Sequence, residues 1–283
     1  MANLHTLPTL PEVVMRIVAV IGDDDSTPED LEEVLRSDSA IVHKLLQIVN
    51  TTAFAGAGHR GEWTLKDAIV RLGRRKLGSI ALQIKLINSL VKPEDSHVDL
   101  RRFWVHSVGC AYLADKIYSD KLVEFEEDLG ANEYWIAALL HDIGKLILGF
   151  FFWSYYERLE SLVTNTGVTF REAELRLGDT VSHQQVGQLL LMTAGMDQVV
   201  VKAVGSHHSQ EGLPSSLSCL IHLADNLAKD FGLGSMEGEC SQYDEDVLRV
   251  VGLNRDGLER LRKTLDGTTV AEIMDVVDRC TAS

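Results

Sequence analysis

The stretch Leu139-Leu140-His141-Asp142-Ile143-Gly144-Lys145 sets an adjacent imidazole and carboxylate among apolar side chains. The apolar residues continue on both sides at helical spacing, which predicts a buried helix near 132–148 with the His-Asp pair on it or at its end. An ionised carboxylate in such surroundings needs a compensating cation or several donors. A divalent metal is one compensator, and imidazole with carboxylate suits Zn, Fe, Mn or a similar ion. A helix cap, or an ion pair with Lys145, meets the same need, and the stretch alone does not choose between them.

Helical signals extend outward from this point. Thr27-Pro28-Glu29-Asp30 reads as a hydroxyl cap, a proline at the first helical position and acids in the first turn. Asp38 or Ser39 caps a following helix. Thr64 caps another, closed by Gly73, and the period runs on from Lys76 to Val91. Further helices are expected near 99–119, 170–178, 182–194, 197–208 and 216–231, with two or three short ones between Asp244 and Cys280. Gly234 to Glu239 reads as an acidic loop. No segment alternates with period two between turn signals, so the fold class is all-α. The polar run Lys92 to Ser96 is the expected junction. It divides the chain into an N-terminal helical lobe (1–92), a second lobe (93–235) and C-terminal short helices (236–283).

Composition narrows the function classes. Lys and Arg total 27 against 42 Asp and Glu, a net charge of −15, which argues against nucleic-acid phosphates or acidic lipids as partners. The one dense basic run, Arg71, Arg74, Arg75 and Lys76, reads as a solvated helix face. Cys110, Cys219, Cys240 and Cys280 form no CxxC pair, so they read as thiols in a reducing compartment, neither a zinc knuckle nor a disulfide framework. No signal peptide is apparent, and the longest apolar run, Ile143 to Trp153, is interrupted and short for a bilayer. A cytoplasmic location is expected. No Gly-rich loop suggests a Rossmann or P-loop nucleotide site. The aromatic run Phe150 to Tyr156 reads as core.

Other residues join the His-Asp pair. His106 lies near the start of a strongly apolar helix. His183 shares a face with Val186, Gly187 and Leu190, His207-His208 closes an apolar run, and Asp225 lies one turn after Ile221. Each alone reads as a hydrogen-bonded core residue; seven inward imidazoles and carboxylates in one helical half read as one or two metal sites. Ser107 and Ser182 are candidates for orienting the imidazoles. His43 and His222 are expected to stay outside the ligand set.

In chain order His106, His141-Asp142, His183, His207-His208 and Asp225 resemble the metal-ligand pattern of the HD superfamily, its dimetal branch in particular. The N-terminal half narrows the match. Leu7-Pro8-Thr9-Leu10-Pro11, Arg36-Ser37-Asp38-Ser39, Leu45 to Asn50 and Ala68 to Gly73 resemble HDOD proteins, HD-related output domains of bacterial signalling chains, and the likeness spans about residues 4–232. It implies an N-terminal helical lobe packed on an HD-like metal-binding lobe. It also implies that Asp142 bridges two metals, one completed by His106, His141 and Asp225, the other by His183, His207 and His208. Asp142 and Lys145 are then the catalytic candidates, Lys145 as a donor to a phosphate oxygen. The cofactor expected is one or two divalent ions among Fe, Mn, Zn, Ni and Mg.

The resemblance implies a signalling output protein acting on signalling proteins in trans, or, alternatively, an active metal-dependent phosphohydrolase of a nucleotide or other phosphoester. Two metals would activate water and neutralise phosphoryl charge. After His207-His208 the chain reads Ser209-Gln210-Glu211-Gly212-Leu213-Pro214, without the Gly-Tyr-Pro loop of HD-GYP phosphodiesterases, which argues against cyclic-di-GMP hydrolysis.

Overall fold

Side-chain caps start the first helices where the sequence places them. Thr27 and Asp30 form a reciprocal capping box before α1's successor α2 (Pro28–Arg36), itself preceded by α1 (Glu12–Gly22). Asp38 accepts the amides of Ala40 and Ile41 to open α3 (Ser39–Val49). Thr64 and Asp67 form a second box before α4 (Leu65–Leu72), and Gly73, at φ 81°, turns the chain into α5 (Arg74–Ser89). The computed structural model describes residues 12–50, 62–89, 96, 98–178, 181–208, 214–265 and 267–281. The motif Leu7 to Pro11, junction residues 92–95 and the loop 209–213 lie outside the described residues.

The chain divides into two compact units, residues 1–91 with 194–196 and 271–283, and residues 92–193 with 197–270. In the first, α5 packs on α1 and α3, and Ile17, Leu31, Leu35, Leu45, Ile48 and Leu77 are fully buried. The basic run serves this unit. Arg74 donates to the Val20 carbonyl, Arg75 pairs with Asp24, and the Arg71 guanidinium lies over the Trp63 ring at 5.0 Å.

The second unit is built on two helices buried on all sides, α6 (Leu100–Ser119) and, further along, α13 (Ser216–Asp230). Between them in the chain come α7 (Ala131–Leu140), α8 (Ile143–Phe151), α9 (Trp153–Thr166), α10 (Phe170–Leu177), α11 (His183–Thr193) and α12 (Gln198–Ser206). α14 (Glu245–Val250) and α15 (Arg255–Thr264) follow, most of α16 (Gly267–Thr281) belongs to the first unit, and no strand occurs among the described residues. α7 and α13 both pack on α6, and α12 packs on α7 and α11.

Three sequence expectations are modified. The single helix expected near 132–148 is two, α7 and α8, parted at His141 and Asp142. The aromatic run is only partly core: Phe150 and Tyr156 are buried, whereas Phe151 and Phe152 stand partly exposed where α8 gives way to α9. The longest apolar stretch is also longer than the sequence reading had it. Glu133–Phe151 has the length and hydropathy of a membrane span, yet it is almost wholly buried inside the protein.

Candidate metal centre

His141 and His207 occupy equivalent places, each the residue that ends a helix, α7 and α12 respectively. The last carbonyls of a helix lack amide partners. Each imidazole supplies one: His141 Nδ1 donates to the Ala138 carbonyl at 2.7 Å, and His207 Nδ1 donates to the Val204 carbonyl at 2.7 Å. The fold thus uses one nitrogen as a cap and turns the other, Nε2, inward.

His106 and His183 reach the same state by other means. His106, on buried α6, donates Nδ1–H to the Leu233 carbonyl at 2.9 Å. His183, at the start of α11, donates Nδ1–H to Glu174 Oε2 at 2.9 Å, while its amide donates to Glu174 Oε1 at 2.5 Å. Glu174 comes from α10. With Nδ1 committed as donor, a neutral ring carries its lone pair on Nε2.

All four Nε2 atoms converge on Asp142, which sits between α7 and α8. His106 and His141 face its Oδ2 at 3.2 and 3.4 Å. His183 and His207 face its Oδ1 at 3.4 and 3.6 Å. Asp225, on α13, completes the first group, with Oδ1 3.2 Å from His106 Nε2 and 3.7 Å from His141 Nε2. His208 stands with the second group, its ring centroid 4.2 Å from that of His207. All seven expected residues therefore meet in one place, as two clusters of potential ligand atoms that share the Asp142 carboxylate.

Close approach of the backbones makes this possible. A Cβ at Gly144 would overlap the His183 carbonyl oxygen, so the helix after the His-Asp pair can lie against the start of α11 only with glycine there.

The charges are arranged around the carboxylates. Lys145 Nζ is 2.7 Å from Asp142 Oδ2, an ion pair out of hydrogen-bond alignment, and Lys229 donates to Asp225 Oδ2 at 2.8 Å. Glu239 Oε1 accepts from Lys145 at 2.7 Å, and Lys229 is 3.5 Å from the same oxygen. Burial opposes ionisation of Asp142, but Lys145 and His141 outweigh it and hold its carboxyl well below the usual range. Glu239 is brought down to about 2 against its own burial by the two lysines. Burial pushes His207 down to about 4, keeping it neutral. For His141 burial works the same way, but Asp142, Cys110 and Asp225 prevail and raise it to about 10, so positive charge is favoured at this point.

Both oxygens of Asp142, Oδ1 of Asp225 and Nε2 of His208 are buried without a hydrogen-bond partner among the described residues. Orphaned acceptors of this kind beside four inward-facing imidazole nitrogens fit a pair of cations.

Sequence reasoning missed several participants. Cys110, one turn beyond His106 on α6, joins the first cluster with Sγ 3.7 Å from His106 Nε2. Lys229 is one turn beyond Asp225. Both were open to an i+4 reading. Glu174 and Glu239 carried no periodic signal. The orienting role expected of Ser107 and Ser182 falls elsewhere: Ser182 caps α11 with Gln185, Ser107 Oγ makes no hydrogen bond among the described residues, and main-chain carbonyls and Glu174 orient the rings. His222 donates Nδ1–H to the His207 carbonyl at 3.0 Å and accepts the Asp244 amide on Nε2 at 2.9 Å, so neither nitrogen is free to ligate. His43 stands on the exposed side of α3.

Comparison with known proteins gives an HDOD domain over residues 7–210. The chain belongs to the HDOD family. A curated relative, an uncharacterized protein of Treponema pallidum (strain Nichols), is 22% identical over 219 residues, 77% of this chain, and the match spans only 41% of that protein's length. Among solved structures, this HDOD protein superposes on an HDOD domain protein of unknown function from Geobacter sulfurreducens with a TM-score of 0.77 at 23% identity, over 100% of this chain and 96% of that one. A "putative signal transduction protein" from Marinobacter aquaeolei VT8 gives 0.73 at 22% identity, covering 97% and 60%. A "putative phosphohydrolase" from Shewanella amazonensis SB2B gives 0.71 at 20%, covering 97% and 95%. These likenesses carry the all-helical fold. Asp225, Lys229 and Glu239 lie beyond the residues matched to the HDOD domain.

Proposed function

We propose that this HDOD protein is a signalling output protein whose second unit holds two divalent metal ions. The observation that carries the reading is the orientation of four imidazoles. Each gives Nδ1–H to a carbonyl or carboxylate and turns its Nε2 towards an oxygen of Asp142. Four imidazole nitrogens and two carboxylates gathered at these distances form a donor set that divalent cations suit. His106, His141 and Asp225 with Asp142 Oδ2 would hold one ion; His183, His207 and His208 with Asp142 Oδ1 would hold the other. Such ions supply Lewis acidity towards phosphoryl oxygens. Imidazole and carboxylate donors accept Fe, Mn, Zn or Ni, and Mg less readily.

The signalling part of the reading draws on family membership and on the name of the Marinobacter neighbour. The acidic surface suits signalling proteins as partners in trans more than nucleic acid. Free thiols at Cys110, Cys219 and Cys240 suit a reducing cytoplasm. Titration of chelator-stripped protein with Mn²⁺ tests the metal reading: two equivalents are expected in the wild type and one in His207→Ala. No binding, or two equivalents in the variant, would remove it.

A second reading, phosphoester hydrolysis, is favoured by one observation. A cavity of about 240 Å³ reaches His208 and Lys229, and Arg171 and Tyr243 also line it. Cationic side chains beside candidate metal ligands suit an anionic substrate. Here Arg171 and Lys229 would bind the anion and Tyr243 would orient it. Turnover of 4-nitrophenyl phosphate or its bis-ester by metal-loaded protein, lost in Lys229→Met, is the expected result; absence of turnover on both esters would leave the output reading alone.

A further inference from the structure

Glu239 is the least expected group near the clusters. It belongs to the non-helical segment between α13 and α14, and its side chain is wholly buried. Four donors hold it. Oε1 accepts from Lys145 at 2.7 Å and lies 3.5 Å from Lys229, while Oε2 accepts from the Ser235 hydroxyl at 2.8 Å and the Ser235 amide at 2.9 Å. Two ammonium groups, a hydroxyl and a main-chain amide around one pair of oxygens form the donor set that binds a phosphoryl group. The two lysines are also the cations nearest the candidate ligands, paired with Asp142 and Asp225.

The same segment is tied to the site at a second point, since the Leu233 carbonyl orients His106. Residues 237 and 238, by contrast, are exposed, with Gly238 at φ 75°. Arg171, His208 and Lys229 line the cavity. The buried Glu239 carboxylate lies 3.5 Å from the Lys229 ammonium, outside the cavity lining.

We propose that Glu239 is an internal anion occupying the phosphoryl-oxygen subsite formed by Lys145, Lys229 and Ser235, so that a phosphate-bearing ligand binds in competition with the Leu233–Glu239 segment. This rests on the phosphoester reading above and deepens it. Lys145 is not a free donor in this state; it becomes one when Glu239 withdraws. Glu239 is a positioning residue: it holds the lysines in place and sets how readily the subsite admits a ligand.

The test is binding of inorganic phosphate to the full chain by isothermal titration calorimetry, with the metal content of every sample recorded. Glu239→Gln keeps the side-chain shape and removes the charge. At equal metal content it is expected to bind phosphate at least tenfold more tightly than wild type, and the added substitution Lys229→Met should abolish the gain. Ser235→Ala, which loosens Glu239 while leaving its charge, should give a smaller gain in the same direction and serves if Glu239→Gln does not fold. Unchanged or weaker phosphate affinity in the folded variants would overturn the proposal. Metal-free samples of all variants would contradict the metal reading separately, while the comparison among them still reports on the lysine subsite.

Discussion

At Gly144 there is no room for a side chain, because a Cβ there would overlap the His183 carbonyl. Gly144→Ala is therefore expected to push α8 away from α11 and to cost about 1–3 kcal/mol. A lower thermal midpoint together with loss of bound metal would show that this contact aligns the two clusters; a variant of wild-type stability and metal content would contradict it. His222 makes the opposite case. Both its ring nitrogens are engaged by backbone groups, so His222→Ala should lower stability by about 1–3 kcal/mol, the cost of orphaning buried partners, and leave metal stoichiometry unchanged. Loss of a metal equivalent would make it a ligand after all. The identities of the seven inward residues were legible because each lies on or directly beside an apolar helical run and their order resembles the HD pattern. What orients them was not: the carbonyl serving His106 belongs to Leu233, 127 residues away, and no periodicity reports on that pairing.

Among the elements, the caps were the most readable feature. Thr27, Asp38 and Thr64 each accept amides at the helix start where the sequence expects a cap. Asp38 has a further role, since Lys85 donates to its other oxygen at 2.7 Å. That hydrogen bond, with the Ile41 and Ala40 amides, prevails over burial and depresses the Asp38 carboxyl below its ordinary value. A depressed carboxyl stabilises the fold above its unfolded pKa, and this contribution is lost as pH falls through the lower folded value. Asp38→Ala is thus expected to cost about 0.5–2 kcal/mol at neutral pH and progressively less below about pH 4. Denaturant midpoints measured from pH 7 down to 3 check this, and a difference that does not shrink on acidification would contradict it. The division of α7 from α8 was less readable. Apolar residues at helical spacing flank it on both sides, and the turn is marked by the His141 ring bonding back to Ala138, a cap that hydrophobic periodicity does not report.

On the scale of the whole molecule, the all-helical fold and the HDOD likeness could be read from the N-terminal motifs and the His-Asp pattern together. The segment from Leu233 to Glu239 could not, because its contribution depends on contacts with α6 and α8 that a loop sequence does not encode locally. If bound metal joins α6, the α7–α8 turn, α11, α12 and α13, stripping it should destabilise the second unit. With metal at about 100 times its Kd the stabilisation lost is about 2.7 kcal/mol, and the thermal midpoint should fall by on the order of 5–10 °C. Calorimetry with and without chelator checks this, and equal midpoints would show that the ions hold nothing together. The most direct test of the central claim is metal content by inductively coupled plasma mass spectrometry, wild type beside Asp142→Ala. Asp142 presents a different oxygen to each histidine pair, so the account predicts up to two metals per chain in the wild type and loss of both in the variant. Metal retained at wild-type level without Asp142, or no metal in either protein even after loading, would contradict it.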